Sequence, residues 1–221
     1  FSIERGEKVG LIARNGNGKT TLMNILTGID SPDSGEVIYQ NGIRRAYLPQ
    51  LPQVLPGSTV LETCFGHNDE MIAQWEEASV RGDGKRMEEL LPEMDALGAW
   101  EYEQRAREIL TRLHLDDLHC TTDNLSGGEL KRIALAGTLI GNPELLFLDE
   151  PTNHLDLDVI EWLEGYLSHQ QIGLLLVTHD RYFLDRVCNR ILELDNKQLY
   201  AYKGNYEYYL NKREERLEAT E

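Results

Sequence analysis

The sequence predicts an α/β fold, a core of parallel strands with a helical lobe inserted into it, and three observations predict it. Four short apolar runs each stop at a polar group: VGLIA before RNGNG, RRAYLP before Gln50, LLFL before Asp149 and Glu150, and LLLV before Thr178 and His179. Such runs suit the buried strands of a parallel sheet, whose ligands gather beyond the strands' carboxyl ends. Between Gln50 and Ser126 the chain turns helical and charged, with Trp75, Met87, Leu90, Leu91, Leu97 and Trp100 spaced among acids and bases. Breaks are expected in this stretch at Gly82–Gly84 and at Pro92. Finally, a glycine-rich loop stands between an apolar strand run and the helical pattern LMNIL.

The bulk composition narrows the function classes. A chain of 221 residues, 41% of them apolar, can bury a sizeable core. Acidic residues number 38 against 22 Lys plus Arg, a formal charge of -16, so the surface repels nucleic acid and anionic lipid unless its few cations are gathered on one face. No apolar run approaches the roughly twenty residues a membrane span needs. Cys64, Cys120 and Cys188 lie far apart without metal-ligand spacing, which fits a reducing compartment and argues against a zinc site or a disulfide frame. A cytoplasmic setting is expected. The chain opens inside the strand pattern FSIERGEKVGLI and closes in a charged run, as expected of a domain cut from a longer protein.

Taken in order, the first element is a strand followed by ARNGNGKTT, Ala13 to Thr21. Glycines let backbone N–H groups point inward and the following helix adds partial positive charge, so a strand, glycine turn and helix cradle phosphate. The P-loop pattern is met at Gly16, Gly18, Lys19 and Thr20, while Ala13 stands where its first glycine belongs, a place alanine can fill at negative φ. Lys19 is expected on the β- and γ-phosphates, Thr20 on Mg2+, and the backbone around Asn15, Gly16, Asn17, Gly18 and Thr21 along the cradle. The plainer alternative is a glycine-rich turn with an exposed lysine. The run LLFLDE decides between them, because Asp149 suits magnesium and Glu150 suits the orientation of an attacking water. LSGGE, Leu125 to Glu129, opens a helix with a serine and two glycines, a common capping turn and also an anion pocket.

In motif order, ARNGNGKTT, YLPQ, LSGGE, LLFLDEP, NHLD and THD run essentially from end to end of the chain, and together they resemble the ATP-binding cassette superfamily. The resemblance implies a P-loop NTPase core at residues 1–56 and 121–203, a helical subdomain with a short arm at 57–120, and the start of a linker helix at 204–221. It implies ATP and Mg2+ as ligands, with two cassettes facing head to tail. Gln50 would sense magnesium and water, Ser126, Gly127 and Gly128 would reach the γ-phosphate of the opposing cassette, Asp156 would cross the interface, and His179 would act as the switch histidine. Catalysis would fall to Glu150, His179 and Gln50, and metal binding to Thr20, Gln50 and Asp149. A lone His or Gln at a strand end is ordinarily structural, so both roles rest on the pattern.

EPTNHLD, Glu150 to Asp156, and YKGNYEYYLNKREER, Tyr202 to Arg216, resemble the soluble ABC-F proteins, and the short arm resembles their Uup branch. That resemblance implies the first of two cassettes on one chain, or a homodimer closed by ATP, acting on the ribosome or on branched nucleic acid. Residues 74–108 hold ten acids against five bases, so such contacts are expected from parts outside this chain. The family's adenine-stacking aromatic is expected upstream of Phe1. The alternatives are an ATPase subunit docked on a membrane transporter and a non-catalytic ATP-sensing clamp.

Overall fold

A computed structural model describes residues 1–13, 18–65, 70–97 and 99–219. Strands β1 (Lys8–Ala13), β2 (Arg45–Leu48), β3 (Leu145–Asp149), β4 (Gly173–Val177), β5 (Arg190–Asp195) and β6 (Gln198–Tyr202) form one sheet in the order β2, β3, β4, β1, β5, β6. All neighbours are parallel except β5 and β6, which pair antiparallel. β4 is buried along its whole length and β3 along all but its first residue, as central parallel strands should be. Val9, Leu11, Phe147, Leu175, Val177 and Leu192 pack on Met23 to form one core cluster. The strand expected from Phe1 begins only at Lys8, because Glu7 N–H donates to the Glu4 carbonyl at 3.0 Å across a turn with Gly6 at φ +78°.

Packing separates the chain into two units, the first holding residues 1–50, 143–153 and 160–221 and the second 51–142 and 154–159. The first contains the whole sheet, together with α1 (Lys19–Thr27), α8 (Arg181–Val187) and α9 (Tyr206–Glu218). The two-residue turn between β5 and β6 places Asn196 and Lys197 at φ 48° and 64°, the left-handed pair that matches the twist of a tight hairpin.

Helix α9, where the resemblance implies the start of a linker helix, is tied to the sheet by its side chains. Glu193, buried in β5, accepts hydrogen bonds from the Tyr202 hydroxyl at 3.0 Å, the Tyr209 hydroxyl at 3.2 Å and Arg213 Nε at 2.8 Å. Arg216 reaches its other side at 3.0 Å and lies over the Tyr200 ring at 3.7 Å. Burial, reinforced by the bond to Glu193, pushes the Tyr202 phenol up to about 12. A carboxylate so enclosed is stable only because every side of it is paired.

The second unit is helical: α2 (Val60–Phe65), α3 (Glu70–Arg81), α4 (Gly84–Leu97), α5 (Trp100–Arg112), a 3-10 turn at Thr122–Asn124 and α6 (Gly127–Ile140). Trp75 meets Trp100 edge to face, with centroids 4.7 Å apart. Pro92 lies inside α4 rather than ending it. The proline ring removes one bond to the Glu88 carbonyl, and both residues are exposed, so water can take that bond. Burial pushes the thiols of Cys64, in α2, and Cys188, at the end of α8, up to about 12, which keeps them protonated core groups.

Two buried carboxyls face each other in this unit, Glu76 from α3 and Glu103 from α5, with the Arg107 guanidinium on Glu103 and 3.8 Å from Glu76. Burial, then the hydrogen bond and charge of Glu103, push Glu76 up to about 8 against Arg107's opposing pull. A carboxyl raised in the folded state from an ordinary 4.5 holds a proton there that the unfolded chain gives up, so its stabilising effect is lost as pH rises from 4.5 to 8. Glu76→Gln is therefore expected to melt higher than the parent, with the gap widening from pH 5.5 to pH 8. Each kcal/mol recovered should raise the melting temperature by roughly 2–4 °C. Thermal melts across that range check this, and a gap that stays constant with pH would contradict a Glu76 carboxyl raised by its burial.

Candidate functional site

Four chain segments leave the sheet at one edge. Leu48 is in register with Leu148, Asp149 with Val177, Gly10 with Leu176 and Ala13 with Leu194, and all these strands run parallel. The residues that follow them, Gln50, Glu150, His179 and the loop into α1, therefore share the carboxyl-end edge where open sheets bind ligands. Asn15, Gly16 and Asn17 lie outside the described residues.

Ala13 closes β1 at negative φ, so the missing first glycine of the P-loop pattern causes no backbone conflict. Gly18 caps α1 at φ +83°, a conformation that favours glycine, and its carbonyl accepts from Leu22 N–H at 2.8 Å. The first-turn N–H groups of a helix have no partner within it and carry its positive end. No acid occupies that turn. Lys19 is half-buried there, and Thr20 and Thr21 are exposed.

At the end of β3, Asp149 and Glu150 are both buried, 4% and 5% exposed, which is not the solvated turn an adjacent acidic pair could have made. Asp149 charge adds to burial in pushing the neighbouring Tyr47 phenol above its ordinary value. Glu150 takes φ +48°, and its N–H donates to the Val177 carbonyl at 2.7 Å, so the chain turns sharply and aims the carboxylate along the sheet edge. Left-handed backbone at a non-glycine residue costs energy and concentrates at functional sites.

His179 holds that carboxylate twice, through its ring Nδ1 and through its backbone N–H at 3.3 Å, while its side chain remains 70% exposed. Its own position is fixed by the two other residues of the THD motif, to which the motif reading gives no role. Asp180 caps α8 by accepting from Phe183 N–H at 3.0 Å, and donates its own N–H to Thr178 Oγ1 at 3.1 Å. An aspartate just ahead of an apolar helix was the available signal. Helix α8 lies tight on β1, where a Cβ at Gly10 would come within 2.8 Å of Leu184 Cδ2.

Ser126, Gly127, Gly128 and Asp156 belong to the helical unit. Ser126 caps α6 in a reciprocal box: its Oγ accepts from Glu129 N–H at 3.2 Å, and its own N–H donates to Glu129 Oε2 at 2.8 Å. The serine hydroxyl also donates to that carboxylate at 2.7 Å, a partner the sequence reading left out. Gly128 faces His154, where a Cβ would come within 3.0 Å of the His154 Cβ. Asp156 is exposed just ahead of α7 (Leu157–His169).

The oxygen donors Asp149, Thr20 and Gln50, a carboxylate, a hydroxyl and an amide, make the hard set that Mg2+ prefers. Among the described residues no helix is long and apolar enough to cross a membrane.

Comparison with known proteins agrees with the fold. The chain is 43% identical over 227 residues to the uncharacterized ABC transporter ATP-binding protein YfmR of Bacillus subtilis, covering 98% of this chain and 36% of that protein. It is 37% identical to the energy-dependent translational throttle protein EttA of Mycobacterium tuberculosis, covering 98% and 41%. With ABC transporter F family member 2 of Arabidopsis thaliana it shares 38%, covering 99% and 35%. The chain thus spans well under half the length of these relatives. A solved ATP-binding subunit of an ABC transporter superposes with a TM-score of 0.71 at 25% identity, covering 92% of this chain and 81% of that one. The sheet and its strand-end loops are thus an ATP-binding cassette core: residues 1–153 match the ABC transporter family, residues 192–221 match a second region described in the same way, and the chain belongs to that family.

Proposed function

We propose that this chain is the first ATP-binding and ATP-hydrolysing cassette of an ABC-F protein, working in the cytoplasm on the ribosome. The observation that carries the reading is the gathering of Lys19, Asp149, Glu150 and His179 at one sheet edge, with Glu150 buried and gripped by His179. The first-turn amides of α1 and the Lys19 ammonium bind the phosphates. Thr20, Asp149 and Gln50 would hold Mg2+, which neutralises charge on the β- and γ-phosphates when bound. Glu150 orients and polarises the water that attacks the γ-phosphorus, and the His179 ring bridges Glu150 to the γ-phosphate.

Ser126, Gly127, Gly128 and Asp156 supply the facing half of a site on a second cassette, so each active site takes parts from two. Their support is the amino end of α6, where the Gly127 and Gly128 N–H groups have no partner within the helix, although Ser126 and Glu129 are paired with each other. The ribosome as target is favoured by the relative named a translational throttle and by the F-family relative. Branched nucleic acid is the second reading; the net acidity of the helical arm counts against phosphate contacts on either target, so those contacts fall to parts outside this chain.

The pairing is tested by light scattering of the chain with and without Mg-ATP. A rise from monomer toward dimer mass that reverses on hydrolysis is expected. A mass that ignores nucleotide while ATP still binds would contradict the shared site.

A further inference from the structure

We propose that Asp123 is a positioning residue for the loop Ser126–Gly128: it anchors the chain entering that loop to the turn Leu55–Ser58, so that the serine and glycines meet the opposing cassette already in place. The inference rests on the shared-site reading above and names what holds its facing half.

Both anchored segments belong to the helical unit. In the first, Ser58 N–H donates to the Leu55 carbonyl at 3.1 Å and closes a turn with Pro56 second and Gly57 third, Gly57 at φ +77°, the arrangement of a type II turn. The Ser58 hydroxyl donates to the same Leu55 carbonyl at 2.6 Å. Proline's fixed φ and these two bonds leave the turn little freedom.

The second segment runs alongside the first on its way to Ser126. Val60 N–H donates to the Cys120 carbonyl at 3.1 Å, and Thr59 and Thr121 form an antiparallel bridge. Thr122, only 2% exposed, donates to the Ser58 carbonyl twice, through its N–H at 2.9 Å and its hydroxyl at 3.1 Å. These bonds satisfy buried groups, as any fold requires.

Asp123 is different. It is exposed, where an aspartate is ordinarily solvated, yet its Oδ1 accepts from Gly57 N–H at 2.7 Å, a short charge-assisted bond to a turn that is already rigid. The 3-10 turn at Thr122–Asn124 and the bond from Leu125 N–H to the Thr122 carbonyl at 3.4 Å carry that anchor to Ser126. Beyond the loop, the cap with Glu129 takes over. The loop is therefore held from both ends, by Asp123 before it and by Glu129 after it. Removing the Asp123 carboxylate frees the entry while leaving the cap and the buried Thr122 bonds in place. Small misplacements of a positioning group are expensive in catalysis, so the loss should appear in rate.

The test is single-turnover phosphate release by the whole chain with Mg-ATP. Asp123→Ala is expected to slow release about tenfold, the size of one hydrogen bond to a charged group, with Mg-ATP affinity unchanged. Asp123→Asn keeps an acceptor oxygen and should stay at the parent rate. Asp83→Ala should too, although it removes a comparable aspartate acceptor, that of Arg86 N–H, from the same unit. Because the loop serves the opposing site, an excess of Glu150→Gln chain, whose own loop is intact, should restore release by Asp123→Ala, as it should for Ser126→Ala. An Asp123→Ala chain that releases phosphate at the parent rate would overturn the proposal. So would a slow Asp123→Ala chain left unrestored by Glu150→Gln while Ser126→Ala is restored, since the defect would then lie in the variant's own cassette. Restoration of neither variant would overturn the shared-site reading itself, and the proposal with it.

Discussion

Glu150→Gln is expected to lower ATP turnover by about 10²–10⁴-fold, the usual contribution of a positioned general base, while leaving ATP bound. The substitution keeps the shape of the side chain and one acceptor oxygen, which can stay opposite the His179 ring, while the amide NH2 replaces the oxygen that accepts from the His179 backbone N–H at 3.3 Å. What it removes is the charge that polarises the attacking water. A buried carboxylate at φ +48° is costly to maintain, and a purely structural residue at the end of β3 would not need it. With hydrolysis stopped, the ATP-bound pair should accumulate, visible as a lasting dimer by light scattering and as a failed burst of phosphate in single-turnover assays. A variant that releases phosphate at the parent rate would remove Glu150 from the chemistry. Glu150→Ala is a poorer probe, because it strips His179 of its acceptor and confounds base loss with displacement of the histidine.

The parts of this site that sequence makes legible are those set by local pattern. LLFL followed by two acids reads as a buried strand with carboxylates at its end, because period and hydrophobicity act over a few residues, and β3 follows that reading. The amino end of α1 is legible for the same reason, since Gly18 and the threonines announce a helix start. The left-handed turn at Glu150 is not legible, because nothing in a glutamate favours φ above zero; the turn is imposed by the bond from its N–H to Val177 in the adjacent strand. The double grip of His179 on Glu150 likewise joins residues 29 positions apart.

Non-local pairing also hid the anchor of α9. Composition shows aromatics early and charges late, which reads as a helix leaving the domain. Only the fold reveals that Tyr209, Arg213 and Arg216 converge on one buried glutamate in β5. Pro92 shows the reverse failing: a strong local breaker is tolerated because the carbonyl it frees, that of Glu88, belongs to an exposed residue.

Lys19→Ala carries the other large effect, and it isolates the phosphate grip from the fold. Lys19 is the first residue of α1, where a cation opposes the positive end of the helix and alanine is the better helix former. The substitution should therefore leave the helix intact or slightly more stable, which circular dichroism and a thermal melt can verify. Loss of binding then reports a lost contact to phosphate and nothing else. A charge-assisted contact of an ammonium with two phosphates, removed from a site where first-turn amides remain, should cost at least about 100-fold in affinity, or about 2.7 kcal/mol.

Calorimetric titration of the parent and Lys19→Ala chains with Mg-ATP is the most direct measurement of whether amides and an ammonium at this sheet edge hold a triphosphate. Saturable binding by the parent and none by the variant over the same concentration range is the expected result. Equally tight binding by a folded Lys19→Ala chain would place the nucleotide elsewhere on the molecule and contradict the site.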